Sequence, residues 1–199
     1  MDTEFSQGKL SRAWNTRDIV VTAALAVVFG LLFIAWGWLY EAIEVFLGPI
    51  GKNFLIGFWF IGGVIVPYII RKPGAALIGE TLAAFVEMPL VPWGWTTIIS
   101  GLTQGVASEF AFAVTGWRRY SLWVLLLAGA LPAITSFIYE YVPYGYGELS
   151  VPVQAGSLIV RFIGGAVLAG LLSKSIVDAL VPTGVLSGFP VGRGRKEEI

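Results

Sequence analysis

The sequence predicts an all-α integral membrane protein, a bundle of six transmembrane helices. Of its 199 residues, 56% are hydrophobic and only 13% are charged, whereas an ordinary soluble domain has about 25% charged residues. Six apolar runs are each long enough to cross the hydrocarbon core of a bilayer, which needs roughly 17 to 25 residues per helix. Lys and Arg fall on alternate connections between these runs, and this distribution fixes the orientation of a membrane protein.

The six predicted spans follow one another closely and form a single membrane domain over residues 1–199. They occupy residues 19–39, 54–70, 74–91, 96–116, 121–142 and 153–177. Residues 178–199 then form a cytoplasmic tail, and we expect its last residues, GRGRKEEI, to be solvated.

The basic residues predict that both termini lie in the cytoplasm. With six spans, only Lys52 lies in a connection on one side of the membrane, while the other side is rich in basic residues. The rich side should be cytoplasmic, because cytoplasmic loops carry an excess of Lys and Arg. We therefore expect a multi-pass protein of a bacterial-type inner (plasma) membrane, surrounded by lipid. The basic residues on the predicted inner side are Lys9, Arg12, Arg17, Arg71, Lys72, Arg118, Arg119, Lys174, Arg193, Arg195 and Lys196.

Several classes of function are excluded by residue types that the sequence lacks. It contains no cysteine and no histidine, which excludes disulfides, Cys or His zinc sites and histidine general bases. No nucleotide-binding loop of the GxxxxGK[ST] or GxGxxG type is present, and a net charge of zero gives no broad basic surface for nucleic acid. The aspartates (Asp2, Asp18 and Asp178) all avoid the middle of a span, so a paired-aspartate protease is not indicated. We expect no enzyme, no metal and no cofactor in this chain.

Two acids in the third span are the strongest functional signal. Glu80 and Glu87 lie in GETLAAFVEMPLVPWGW, residues 79–95, and a spacing of seven places them on one helix face, roughly 10 Å apart along the axis. A charge at the bilayer centre costs on the order of 3 kcal/mol, so such residues face a bundle interior or a cavity. With this span running outward, Glu87 is the outer acid and Glu80 the deeper one.

Two further charges within the spans, Glu109 and Arg161, are expected to form a buried ion pair. Glu80 is an alternative partner for Arg161, and a buried acid can instead be protonated. No second buried cation is left for Glu87, and a ligand can supply the missing positive charge.

Aromatic residues in the predicted outer connections complete a candidate ligand site. A carboxylate beside aromatic rings is suited to an organic cation, since each cation–π contact contributes about 0.5 to 2 kcal/mol. An interfacial belt of Trp and Tyr would explain part of this cluster. The candidate binding residues are Glu80, Glu87, Trp93, Trp95, Gln104, Trp36, Trp38, Asn53, Tyr144 and Tyr146.

Small residues in the first span form a second candidate site. Thr22, Ala26 and Gly30 recur every four residues and would let another helix approach closely. We take them as candidates for docking a partner subunit, with packing inside this chain as the alternative.

Two stretches carry a resemblance to a known family. IIRKPGAALIGETLAAFVEMPLVPWGW and SGLTQGVASEFAFAVTGWRRY resemble the substrate-binding (S) components of energy-coupling factor (ECF) vitamin transporters of the thiamine type. The resemblance implies an outward-facing pocket for thiamine or its hydroxymethylpyrimidine precursor. It also implies a transmembrane coupling (T) subunit and ABC-type ATPase subunits as partners, which use the ATP. The family docks through AxxxA-like motifs on the first helix, which Ala26 and Gly30 match only in part.

The leading prediction is therefore a non-enzymatic binding subunit of a thiamine-class importer. The alternative is a self-sufficient secondary transporter of an organic cation, coupled to protons or sodium ions through Glu80 and Glu109. Six spans are few for such a transporter, and no inverted repeat is evident in the sequence.

Overall fold

The computed structural model describes residues 13–193, and this part of the chain is helical with no strand. Its α-helices, in chain order, are α1 (Thr16–Gly51), α2 (Asn53–Ile56), α3 (Gly62–Ile70), α4 (Ala75–Glu87), α5 (Thr96–Ala113), α6 (Leu122–Ala130), α7 (Pro132–Glu140), α8 (Val151–Gly164), α9 (Leu172–Leu180) and α10 (Pro190–Arg193). Short 3-10 segments occupy Gly57–Phe60, Met88–Leu90, Tyr146–Glu148 and Val181–Thr183, and a π-helical segment, Gly165–Leu171, joins α8 to α9.

Each predicted span coincides with helical structure. Four stretches of residues 13–193 are long and apolar enough to cross a membrane: Thr16–Gly51, Asn53–Ile70, Leu122–Glu140 and Val151–Thr183. The two remaining predicted spans correspond to α4 and α5, which have 13 and 18 residues. These two helices carry Glu80, Glu87, Gln104 and Glu109, whose polarity lowers their hydropathy below that of the other four stretches.

α1 is much longer than the predicted first span and continues to Gly51 rather than ending at residue 39. It begins with a capping box, in which the Asn15 side chain accepts from the Asp18 backbone N–H and the Asp18 carboxylate accepts from the Asn15 N–H, both at 3.0 Å. Near its other end Gly48 has φ 66° and ψ 179° and is followed by Pro49. A residue at this φ is most readily glycine, and the break redirects the last turn toward α2.

Glycines bring the helices of the sixth predicted span into backbone contact with those of the second and fifth. A Cβ built on Gly57 would lie 2.1 Å from the carbonyl carbon of Gly164, and one on Gly165 would lie 2.1 Å from the Gly129 oxygen. No side chain fits at such distances, so these helices pack on their main chains. Beside them lies the apolar core, which includes the fully buried Phe60 and Leu125.

The small-residue stripe of α1 packs inside the chain, and this corrects its assignment to partner docking. Thr22 and Ala26 are only 1% and 2% exposed. A Cβ on Gly30 would meet the Val86 side chain at 2.6 Å and the Ala83 carbonyl oxygen at 2.8 Å. α4 therefore covers the stripe, because the small side chains let α1 and α4 approach closely.

Replacing Gly30 by leucine is expected to destabilise the isolated protein by about 1–3 kcal/mol, the usual cost of overpacking a tight interface. The added side chain must displace both Val86 and the α4 backbone. The measurement is the thermal unfolding midpoint in detergent. Ala24→Leu, on the exposed face of the same helix, is the matched control. Equal midpoints for the two variants would contradict this packing.

The predicted cytoplasmic tail is folded as far as the structure describes it. Leu186, Phe189 and Val191 are buried within the main apolar core, and the Arg17 guanidinium lies 4.9 Å from the Phe189 ring centroid. Residues 186–191 thus anchor the described part of the tail to the bundle, while residues 182–185 are exposed. Lys9, Arg12, Arg195 and Lys196, and the part of the expected solvated end after Arg193, lie outside the described residues.

Candidate ligand-binding site

A cavity of about 470 Å³ opens between the helices. It lies beside the three connections that were predicted to lie outside, residues 40–53, 92–95 and 143–152. This volume is within the range of about 300 to 1,000 Å³ that is usual for small-molecule sites. Its aromatic lining comprises Tyr40, Trp59, Trp93, Tyr139, Tyr144 and Tyr146. Its acids are Glu44, Glu80, Glu87 and Glu140, and Lys52 is the basic residue in its lining.

Glu80 is the deep acid of this cavity and is 1% exposed. Its Oε2 accepts a hydrogen bond of 2.7 Å from the backbone N–H of Gly63, one of the first-turn amides that a helix leaves without an internal partner. The contact depends on the absence of side chains, because a Cβ on Gly62 would lie 2.9 Å from the same oxygen. The sequence Gly62-Gly63 therefore allows the α3 backbone to meet the Glu80 carboxylate.

Glu87 lies two turns further along α4 and is 2% exposed. Its Oε1 accepts a hydrogen bond of 3.0 Å from the indole Nε1 of Trp59. Within residues 13–193, no Lys or Arg forms an ion pair with Glu80 or Glu87. Each acid thus accepts a hydrogen bond from a neutral donor, and neither has a cationic partner.

The other two acids in the lining do have cationic partners. Glu44 pairs with Lys52 at 3.1 Å, and Glu140 pairs with the Nη2 of Arg161 at 2.8 Å. The four acids of the lining thus have two cations among them, and Glu80 and Glu87 are the two without a cationic partner.

Arg161 is fully buried and joins several elements behind the cavity wall. Its Nε and Nη2 donate to the Asn53 Oδ1 at 3.1 and 2.8 Å, its Nη1 donates to the Ser136 hydroxyl at 3.0 Å, and its Nη2 donates to the Tyr146 hydroxyl at 2.9 Å. Asn53 in turn donates to the Pro49 carbonyl at 2.8 Å. The guanidinium therefore connects α8 to α2, α7 and the connection that contains Tyr146.

The predicted ion pair between Glu109 and Arg161 is wrong, and so is the alternative pair with Glu80. Arg161 pairs with Glu140. The side chain of Glu109, which belongs to α5, instead contacts the N-terminus of α4. Glu109 accepts from the N–H groups of Gly74 and Ala76 at 2.7 and 2.9 Å and from the Trp117 indole at 2.5 Å. The amides at a helix N-terminus stabilise a carboxylate, so Glu109 has no need of a buried cation.

Six of the ten predicted binding residues line the cavity. They are Glu80, Glu87, Trp93, Gln104, Tyr144 and Tyr146. Asn53 is completely buried behind the wall, in the Arg161 network. The Trp36 indole donates to the Leu55 carbonyl at 2.9 Å, also outside the lining.

Two of the predicted tryptophans point away from the cavity. Trp38 is 73% exposed and Trp95 is 68% exposed, and neither is among the lining residues. Their positions agree with an interfacial aromatic belt, which the sequence offered as the competing explanation.

Several lining residues were missed from the sequence. Tyr40 and Glu44 lie four residues apart in a stretch taken as a loop, and helical spacing would have placed them on one face. Thr97 and Ser100 lie seven and four residues before the predicted Gln104 on α5, a helical spacing that puts all three on one face. Trp59 carries no such signal, because a 3-10 turn, Gly57–Phe60, changes its direction relative to the helix that follows.

A helical membrane bundle with a ligand-sized, acidic and aromatic cavity at one end is the architecture of a substrate-binding membrane component. The chain belongs to the S components of ECF transporters, within the family described as "ABC-type cobalt transport system, permease component", which matches residues 17–135. This confirms the family resemblance of the sequence.

Two relatives support this membership. The chain is 39% identical over 188 residues to the HMP/thiamine permease protein YkoE of Bacillus subtilis (strain 168), and the match covers 94% of each protein. It is 40% identical to a solved protein described as "Crystal structure of an S-component of ECF transporter", with a TM-score of 0.89 and coverage of 94% of this chain and 95% of that one.

Proposed function

We propose that the chain is the substrate-binding subunit of an ECF-type ABC importer and that its cavity binds thiamine or the hydroxymethylpyrimidine precursor of thiamine. The observation that carries the proposal is the pair of carboxylates, Glu80 and Glu87, that line the cavity without a cationic partner. Leaving unpaired carboxylates in a low-dielectric site is costly, and a cationic ligand removes that cost.

The chemistry of thiamine matches both components of the lining. Its thiazolium is a fixed cation, which a carboxylate and aromatic faces such as those of Trp59 and Trp93 stabilise. Its aminopyrimidine can donate hydrogen bonds to a second carboxylate and stack on an aromatic ring. Hydroxymethylpyrimidine contains only the second of these groups, so it uses half of the site. The HMP/thiamine name of the YkoE relative supports this choice of ligand.

The proposed topology has six membrane spans in one domain, both termini in the cytoplasm of a bacterial-type cell, and the cavity open to the outside. Supporting this orientation, Lys52 lies in the cavity lining, whereas Arg17, Lys72 and Arg118 lie toward the other end, where Lys72 pairs with Asp18. The positive-inside rule puts that second end in the cytoplasm.

Transport then requires other chains, namely a transmembrane coupling subunit and ABC-type ATPases that consume the ATP. The relatives in ECF systems support this division of labour. Self-sufficient transport coupled to protons or sodium ions is not favoured. That alternative required Glu80 and Glu109 to carry the coupling ion together. Glu109 is instead held by the first amides of α4.

Equilibrium binding to the purified protein tests the proposal. Trp59 and Trp93 line the cavity, so quenching of tryptophan fluorescence by thiamine gives a direct signal. We expect a Kd in the micromolar range or below for thiamine, and weaker binding of hydroxymethylpyrimidine because it lacks the fixed cation. Affinity no better than millimolar for both compounds would overturn the proposed function.

A further inference from the structure

The basic groups at the cavity are already neutralised by acids. Lys52 is the cation in the cavity lining, and Glu44 holds it at 3.1 Å. Arg161 lies behind the wall with no exposed surface, and Glu140, Asn53, Ser136 and Tyr146 occupy its donors. Within the described part of the chain, a ligand in the cavity therefore finds two unpaired carboxylates and no uncommitted cation.

The Glu44–Lys52 pair lies across the break in α1. Glu44 is in the helix before Gly48, and Lys52 follows the last turn. Both side chains are about one-third exposed, at 31% and 32%, whereas Glu80 and Glu87 are almost completely buried. The pair is thus the solvent-accessible charged element of the cavity, and the bend in the backbone brings its two members together.

We infer that Glu44 determines specificity by neutralising Lys52, so that the site accepts the free organic cation and discriminates against its phosphate esters. This inference rests on the proposed function. A phosphate monoester carries a charge of about −1.5 to −2 at neutral pH, and the acids Glu80 and Glu87 offer it no cationic partner. Lysine is an effective point-charge binder of phosphate, but here its charge is matched by Glu44.

The inference predicts that removing the Glu44 charge changes the ligand preference. In Glu44→Gln the side chain keeps its size, and the Lys52 ammonium becomes available to a phosphate group. The experiment measures the Kd values of thiamine and thiamine monophosphate for the purified protein and for this variant. We expect the wild type to favour thiamine by roughly tenfold or more, and the variant to reduce that ratio by roughly tenfold, as for the gain of one charge-assisted contact.

Two further variants make the result specific to this pair. Glu44→Gln combined with Lys52→Gln should restore the original preference, since no cation remains to bind phosphate. Glu41→Gln removes the same charge from an exposed position of the same helix that does not line the cavity, and it should leave the ratio unchanged. A ratio that moves equally in Glu41→Gln would indicate a general surface-charge effect and overturn the inference.

The outcomes separate this inference from the proposed function. If the wild type binds thiamine and its monophosphate equally well, or if Glu44→Gln leaves the ratio unchanged, the role of Glu44 is wrong while the proposed function stands. If the wild type binds neither thiamine nor its monophosphate, the inference fails, and the proposed function fails with it if hydroxymethylpyrimidine does not bind either.

Discussion

Glu87→Gln is expected to weaken thiamine binding by about 10- to 100-fold, and Glu80→Gln by a comparable factor. A hydrogen bond to a charged group contributes about 1.5 to 3 kcal/mol, and each 1.4 kcal/mol corresponds to a tenfold change in Kd. Both carboxylates line the cavity, and neither has a cation of its own. The measurement is equilibrium binding by calorimetry or by tryptophan fluorescence.

The stability of the ligand-free protein separates a binding role from a structural one. Replacing an unpaired buried carboxylate by a neutral amide removes a desolvation cost, so the unfolding midpoint of each variant should equal or exceed that of the wild type. Glu148→Gln, an exposed change in a connection at the same end of the bundle, is the control for loss of charge. If Glu80→Gln and Glu87→Gln both bind thiamine within twofold of the wild type, the two acids are not the recognition groups.

Arg161→Met is expected to be the most destabilising single change, costing about 3–5 kcal/mol, because breaking a buried pair leaves an uncompensated charge. The Glu140 carboxylate would lose its cation, and the Asn53 oxygen would lose two donors from the guanidinium. The thermal unfolding midpoint of the protein in detergent measures the effect.

A second substitution tests the origin of that cost. Arg161→Met combined with Glu140→Gln should recover part of the lost stability, since the stranded charge is then removed. Arg118→Met, at an exposed arginine, controls for loss of a basic residue. If the double variant is as unstable as Arg161→Met, the guanidinium stabilises the protein through its neutral hydrogen bonds rather than through Glu140.

The helices and the main acids were predictable because they depend on quantities that a sequence states directly. Hydropathy and length locate the apolar helices, and the cost of burying a charge identifies Glu80 and Glu87 as residues that face the interior. Their spacing of seven placed both on one face, and both do line the cavity.

The partner of Arg161 was not predictable for a geometric reason. Position in a span gives the depth of a residue along the bundle, but not the direction in which its side chain points around the axis. Glu140 lies near the end of the fifth predicted span and was not considered as a buried acid, although the structure places it against Arg161. The direction depends on local irregularities such as the interruption between α6 and α7, which hydropathy does not report.

The two acids of α4 also have a consequence for how the protein enters a membrane. α4 has 13 residues, fewer than the roughly 20 that span a bilayer, and its central acid, Glu80, adds about 3 kcal/mol to the free energy of insertion if it enters charged. Such a helix does not partition into lipid well by itself. Its insertion is therefore expected to depend on α1, which covers its small residues, and on α5, which packs closely at Gly101 and Gly105. We therefore expect the cavity walls to assemble after the more apolar helices have entered the membrane.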